Sequence, residues 1–367
     1  MIKIDGDYIS DDVIKLWHTE TYIKKINEKV GTEANGMYDE QVKRNFNSYN
    51  FAFDTYENMF TKKWAKLSAG WVLEVADAIY ANMITQGFCI VRPPGHHAHA
   101  SVASGFWFLN NVAIVARHIQ KNYDVKKICI FDWDVHFGDG TAAIFESDPS
   151  VLFISIHKFM NGNFYPGPSG SVKRTGDGKG KGFNISVPFD VNEMGNDEYI
   201  YVCENLVFPI IEEFKPEILL ISAGFDSAEG DPLGQFKLTP SGYAYMTQRL
   251  LEICPKIIAV LEGGYDLKAI TKCSEAVVRV LKGQKLPIEE IEANQSLEEM
   301  YMNSQPHKEA KRVVTSVAKY VHKKWDCVQQ LVVRSRKATE EEAKLKHDKD
   351  KINIPEMPPE LVRKTTI

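Results

Sequence analysis

The 367 residues carry 44 Lys plus Arg against 49 Asp plus Glu, a formal net charge of −5, and 44% of them are hydrophobic. These figures exclude a wholly disordered chain, whose apolar content is depleted, and give no global electrostatic case for binding nucleic acid or an acidic membrane. Six widely separated cysteines without a CxxC pair, no leader-like amino end and no apolar run near about 18 residues point to a soluble protein of a reducing, intracellular compartment.

In chain order, the segment from Thr55 to Gly87 has the apolar spacing of one or two amphipathic helices covering a sheet, with Trp64, Trp71, Val72 and Val75 as packing residues. FCIV at Phe88 to Val91 reads as a strand, Leu109 to Asn122 as a helix, and Lys127 to His136 and Val151 to His157 as strands buried on both faces. The Gly-rich stretch Gly167 to Gly182 reads as a mobile, solvated loop; it lacks the spacing of a phosphate-binding Walker loop. A helix from Tyr199 to Phe214, a strand from Glu217 to Gly224, a helix from Ser241 to Cys254 and a strand from Lys256 to Gly264 follow. This alternation predicts an α/β domain with a central, mostly parallel sheet flanked by helices, and ionisable residues gather where the strands end. Beyond about Pro287 the chain turns helical and more charged. Tyr301 to Lys337 holds nine basic and two acidic residues, with Val313, Val317, Val321, Val328 and Leu331 as an apolar stripe. A helix packed on the domain with a basic solvent face accounts for that pattern, with contact to a partner, membrane or nucleic acid as the alternative. Residues 341–367 read as a charged tail, disordered toward its end.

DWDVHFGDG, from Asp132 to Gly140, is the densest chemical cluster. On an extended strand Asp132, Asp134 and His136 share one face, and two carboxylates plus an imidazole suit a divalent ion, zinc first for hydrolysis. A hydrogen-bonded turn is the bland alternative. In RPPGHHAHASVASG, His96 and His97 sit in a Pro- and Gly-constrained loop where metal ligation, acid-base catalysis and a structural role all remain open. His99 and His118 read as structural histidines. Asp226 and Tyr265 each stand just past a strand, as a helix cap and a packed phenol or as site residues.

Taken in order between Asp11 and Val280, RPPGHHA, ASGFWFLNN, IFDWDVHFGDGT, VLFISIHKF, YPGPSG, LISAGFDSAEGDPLG and VLEGGYD resemble the zinc-dependent histone deacetylase and acetylpolyamine amidohydrolase family, the class II deacetylases above all. The resemblance implies an arginase-like α/β fold and zinc held by Asp134, His136 and Asp226. It implies His97 as the proton-transferring base, His96 as its partner, Asp132 and Asp139 as the carboxylates orienting them, and Tyr265 as the phenol on the acyl oxygen. It implies a K+ site at Asp132, Asp134, His136, Ser155 and Ile156, and a second at Phe145, Asp148, Val151 and Phe183. Gly105, Phe106 and Phe183 are implied as walls of an acyl-lysine channel and Asp54 as an acidic rim residue. Leu233 stands where the polyamine branch carries an acidic residue, which favours protein-linked acetyl-lysine.

Phe137 stands in place of a second histidine, Asp139 where class II members often have Asn, and His99 alters the loop after the histidine pair. The expected organisation is a deacetylase catalytic domain over residues 1–290, lacking the family's first strand and rim loop, then a helical extension over 291–340 and the charged tail. Hydrolysis of N6-acetyl-lysine in histones or other proteins is the implied activity, with corepressors as further partners and a nuclear or cytoplasmic location. RSRK at Arg334 to Lys337 is too short to decide import. A non-catalytic acyl-lysine-binding scaffold and an acetylpolyamine amidohydrolase are the competing readings.

Overall fold

The computed structural model describes residues 2–28, 60–105, 107–285 and 296–333. Six strands, β1 Gln86–Cys89, β2 Ile128–Asp132, β3 Val151–Lys158, β4 Asn184–Phe189, β5 Ile218–Ala223 and β6 Ile257–Leu261, form one all-parallel sheet in the spatial order β1-β6-β5-β2-β3-β4. Residues of β2 to β6 are buried throughout, as their unbroken β-branched and aromatic runs require. Alternate residues feed two cores. Cys129, Phe131, Leu219 and Ile221 pack beneath the helices Pro240–Ile253, Leu267–Leu281 and Lys308–Val321. Ile128, Ile130 and Leu220 face the helices Thr61–Tyr80 and Asn111–Tyr123. The result is the three-layered α/β arrangement that the alternation of elements predicts.

Four details depart from the sequence reading. β4 was not anticipated, because Pro188 interrupts its run; a strand at the sheet's edge tolerates that proline, since the missing N–H faces no further strand. The helix expected from Tyr199 to Phe214 contains a π turn at Cys203–Val207, where the Phe208 N–H bonds back to the Cys203 carbonyl. The adjoining Pro209 has no N–H to continue the regular ladder. Trp64 is half exposed rather than packed, while Val72 and Val75 are buried. The Gly167 to Gly182 stretch is docked rather than free: the Asp177 N–H bonds the Glu146 carbonyl at 2.7 Å, and Thr175 and Gly180 are buried.

The described part of the basic segment, through Val333, packs on the domain, with a helix at Lys308–Val321. Val313, Val317, Val321 and Val328 are buried in the core under β4, and Lys311, Lys319 and Lys323 face solvent. Trp325 sits between Phe183 and Phe214 and donates from Nε1 to the Gly182 carbonyl at 2.8 Å. Among the described residues no helix is long and apolar enough to cross a membrane.

Candidate active site

The chain leaves β2 toward β3 on one side and β5 toward β6 on the other. Open parallel sheets bind ligands in the crevice that such a reversal opens between the carboxyl ends of two strands. Asp132, Asp134 and His136 emerge from β2 there, and Asp226 from β5.

The strand stops at Asp132, so the three residues are not presented on one extended face as the sequence suggests. Instead the Asp134 N–H donates to Asp132 Oδ1 at 3.1 Å and the His136 N–H to Asp134 Oδ1 at 2.8 Å. Each carboxylate thereby tightens the backbone two residues ahead, and the hydrogen-bonded turn and the candidate ligand cluster are one object. Asp226 Oδ1 accepts from the Val135 N–H at 2.8 Å, and Asp134 Oδ2 from the Gly263 N–H at 2.8 Å. His136 Nδ1 then lies 3.1 Å from both Asp134 Oδ1 and Asp226 Oδ2. Ligand atoms of Asp134, His136 and Asp226 fall within 4.8 Å of one another, all from buried residues.

This cluster fits a divalent cation. Two carboxylates buried side by side repel, and burial together with the Asp134 charge pushes Asp226 up to about 7. A cation among them removes that conflict, and oxygen plus imidazole nitrogen is a donor set that zinc accepts. The backbone approaches so closely that a Cβ on Gly263 would stand 2.3 Å from Asp226 Oδ2 and 2.6 Å from Asp134 Oδ2.

The histidine pair closes over the same point. His96 Nδ1 lies 3.0 Å from Asp132 Oδ2, and His97 Nδ1 lies 2.6 Å from Asp139 Oδ1. The rings are 4.1 Å apart, and both Nε2 atoms are buried without a hydrogen-bond partner among the described residues, that of His96 lying 3.8 Å from Asp134 Oδ1. Burial and then the charge of His96 pull His97 down to about 4, leaving a neutral imidazole. Burial opposes a proton on His96, but the adjoining Asp134 and Asp132 carboxylates outweigh it and raise that ring well above the ordinary range. Burial also raises Asp139, yet the hydrogen bonds from His97 and His99 prevail and hold it below the usual carboxylate range. Burial, then Asp134 and Asp226, push the Tyr265 phenol upward, so it stays a donor.

Several neighbours are invisible to residue-by-residue reading. Glu262 is fully buried, and its Oε2 accepts from the Gly95 N–H at 2.7 Å, the His96 N–H at 3.1 Å and Trp107 Nε1 at 3.2 Å. Asp231 takes the N–H groups of Leu233, Gly234 and Tyr265, tying the two loops together. Phe164 stacks on His136 with centroids 5.1 Å apart, and Tyr165 meets His97 edge-on at 4.9 Å. Gly105 has φ +59°, and a Cβ there would strike the Tyr165 hydroxyl and His97 Cδ2. The YPGPSG motif was the one signal available for Tyr165.

Leu233 is about half exposed at the rim. Phe183 is not brought to the site: it stands just before β4, at the opposite end of the sheet, packed on Phe214 and Trp325. Phe164 and Tyr165 are the aromatic residues beside His136 and His97 instead. Ser155 and Ile156 lie near the carboxyl end of β3, with Ser155 paired in register with Asp132. Phe145, Asp148, Val151 and Phe183 gather at the amino ends of β3 and β4, away from the histidines. His118 bonds Asp77 at 2.6 Å and His99 Nε2 lies 2.9 Å from Asp139 Oδ2, so both are hydrogen-bonded as structural histidines are, but the carboxylate beside His99 is also the one on His97. Asp54 and Phe106 lie outside the described residues.

A family model described as "Histone deacetylase domain" matches residues 2–281, and the chain belongs to that family. It is 39% identical over 292 residues to Histone deacetylase 15 of Arabidopsis thaliana, covering 78% of this chain and 50% of that protein. It is 35% identical over 331 residues to Histone deacetylase HDA1 of Saccharomyces cerevisiae, covering 89% of this chain and 44% of that one. The chain thus spans half or less of the length of these relatives. The solved HDA15 HD domain superposes with a TM-score of 0.77 at 33% identity, covering 90% of this chain and 84% of that one.

Proposed function

We propose that this chain is a zinc-dependent protein lysine deacetylase, which hydrolyses the acetyl amide of N6-acetyl-lysine in histones or other proteins and releases acetate and the free amine. The observation that carries the reading is the convergence of Asp134, His136 and Asp226 with the Nε2 atoms of His96 and His97, neither hydrogen-bonded among the described residues, in one buried crevice. Zinc held by those three residues would supply Lewis acidity toward the acyl oxygen and a water acidified toward neutrality.

The protein's own groups do the rest. With Nδ1–H donated to Asp139, His97 offers Nε2 as an acceptor and takes a proton as water attacks the amide carbon. It returns that proton to the leaving amine nitrogen, without which a lysine amide departs poorly. His96, bonded to Asp132, holds positive charge beside the growing oxyanion. The Tyr265 phenol donates to the acyl oxygen as its charge grows. Phe164 and Tyr165 give an apolar wall suited to a lysine's methylene stem, and Leu233 offers no carboxylate for the second ammonium of a polyamine. Oxygen groups about Asp132 and Ser155, and the backbone about Phe145, Asp148 and Val151, are where K+ ions would be sought.

Acetylated proteins are the proposed substrates and corepressors the proposed further partners, in nucleus or cytoplasm. The test is acetate release by the zinc-loaded protein from an acetyl-lysine peptide and from acetylspermidine. Turnover of the peptide alone supports the reading; turnover of the polyamine alone moves it to the amidohydrolase branch. Peptide binding without release from correctly metallated protein points to a non-catalytic scaffold.

A further inference from the structure

Asp139 serves two imidazoles, and proton transfer accounts for only one of them. Oδ1 lies 2.6 Å from His97 Nδ1 and Oδ2 lies 2.9 Å from His99 Nε2. The two rings differ in setting: the His97 side chain is 1% exposed and that of His99 is 34% exposed. His99 is the outer end of a short chain of contacts running from solvent through one carboxylate to the buried base.

The backbone presents His99 deliberately. The His99 N–H bonds the Val102 carbonyl at 3.0 Å, and the Ala98 N–H bonds the Gly95 carbonyl at 3.0 Å. Asn110 Nδ2 holds the Ala98 carbonyl at 3.2 Å. These bonds set a turn directly after the histidine pair and bring its third imidazole back onto Asp139. The carboxylate needs such a restraint, because the terminal torsion of an aspartate is soft and broad. Its other oxygen alone would leave the plane free to swing away from His97 Nδ1. With Oδ2 tied to His99 the plane is fixed, and the charge of one carboxylate is divided between two donors.

We propose that His99 is a positioning residue for His97, acting through Asp139: it holds the carboxylate plane toward His97 Nδ1 and so keeps the proton there and the lone pair of Nε2 in the crevice. The proposal rests on the deacetylase reading of His97 and adds a residue to it. His99 touches neither substrate nor metal ligands in this account, and its effect vanishes if Asp139 cannot serve as the intermediary.

The test uses the full chain, zinc-loaded, with an acetyl-lysine peptide, and compares H99A, H99Q, D139N and the double variant H99A/D139N. H99A is expected to lower kcat about tenfold, the scale seen when a partner orienting a site residue is lost, with KM within about twofold. H99Q, whose amide can donate from near the place of Nε2, is expected to recover most of that loss. In the D139N background, removing His99 should cost nothing more. In parallel, long-range proton–nitrogen correlation spectra of histidine-labelled protein read the His97 tautomer directly. The Nδ1-bound proton of His97 should shift in H99A and return in H99Q. That spectrum decides the matter even if the parent chain turns over no peptide, which would count against the proposed function alone. If H99A does not fold, H99L fills the space without a donor and must show the same kcat loss and proton shift. An unchanged kcat and an unmoved His97 proton overturn the proposal, as does a loss that persists undiminished in D139N.

Discussion

Glu262→Ala should be among the most damaging single changes in this protein, although the residue makes no chemistry of its own. Its Oε2 is the acceptor for the N–H groups of Gly95 and His96 and for Trp107 Nε1, at 2.7, 3.1 and 3.2 Å. Truncation strands three buried donors, each worth about 1–3 kcal/mol when left unsatisfied. Burial pushes the Glu262 carboxyl upward, so relief from holding it there offsets part of the loss. A net destabilisation of about 4 kcal/mol follows, a large share of the roughly 5–15 kcal/mol that holds a folded domain together. Glu262→Gln keeps a carbonyl acceptor in place and should lose about 1–2 kcal/mol, the difference between charged and neutral hydrogen bonds. Urea unfolding followed by tryptophan fluorescence measures both. If Glu262→Ala unfolds within about 1 kcal/mol of the parent, or Glu262→Gln is as damaging as Glu262→Ala, the three-donor account is wrong.

Gly263→Ala places a Cβ against both candidate ligand carboxylates and should weaken zinc binding at least about tenfold while the fold survives; undiminished affinity in a competition titration would contradict the close approach. His18 is buried with Nε2 accepting from the Asn110 N–H, and burial pulls it down to about 4 from an ordinary 6.5. The unfolded chain therefore takes up that proton first as pH falls, so the contribution is whole above about 6.5 and about 2 kcal/mol is lost by pH 5. His18→Gln should flatten the stability profile between pH 6.5 and 4.5, and identical slopes would remove His18 from the account. Trp325→Ala opens a hole between Phe183 and Phe214 and should cost about 3–5 kcal/mol. A smaller urea shift than about 1 kcal/mol would mean that the carboxyl-terminal segment contributes little to the folded unit.

Much of this was legible from the sequence because the chemistry is local to strand ends. Asp132, Asp134 and His136 sit within five residues, and a parallel sheet brings the carboxyl ends of its strands to one edge; that β2 and β5 are neighbours there is seen only in the assembled sheet. What was not legible depends on depth along a strand or on convergence from afar. Phe183 directly precedes β4, and a six-residue strand separates its two ends by about 20 Å, so it cannot wall a crevice at the other end. Pro188 hid β4 because the tolerance of proline depends on edge position, which only the assembled sheet reveals. Glu262 looked like one polar residue in a strand end; its role exists only once Gly95, His96 and Trp107 fold onto it. The link from His99 to His97 was hidden for the same reason, since Asp139 reaches His99 across 40 residues of chain.

The central claim is that the Asp134, His136 and Asp226 cluster is a zinc site driving amide hydrolysis beside His97. Titrating zinc into metal-stripped protein while measuring acetate release from an acetyl-lysine peptide tests it most directly. The account predicts that activity rises in proportion to zinc and saturates at one ion per chain, and that Asp226→Asn abolishes both uptake and release. Acetate release that is independent of added metal, or unaltered by Asp226→Asn, would contradict it.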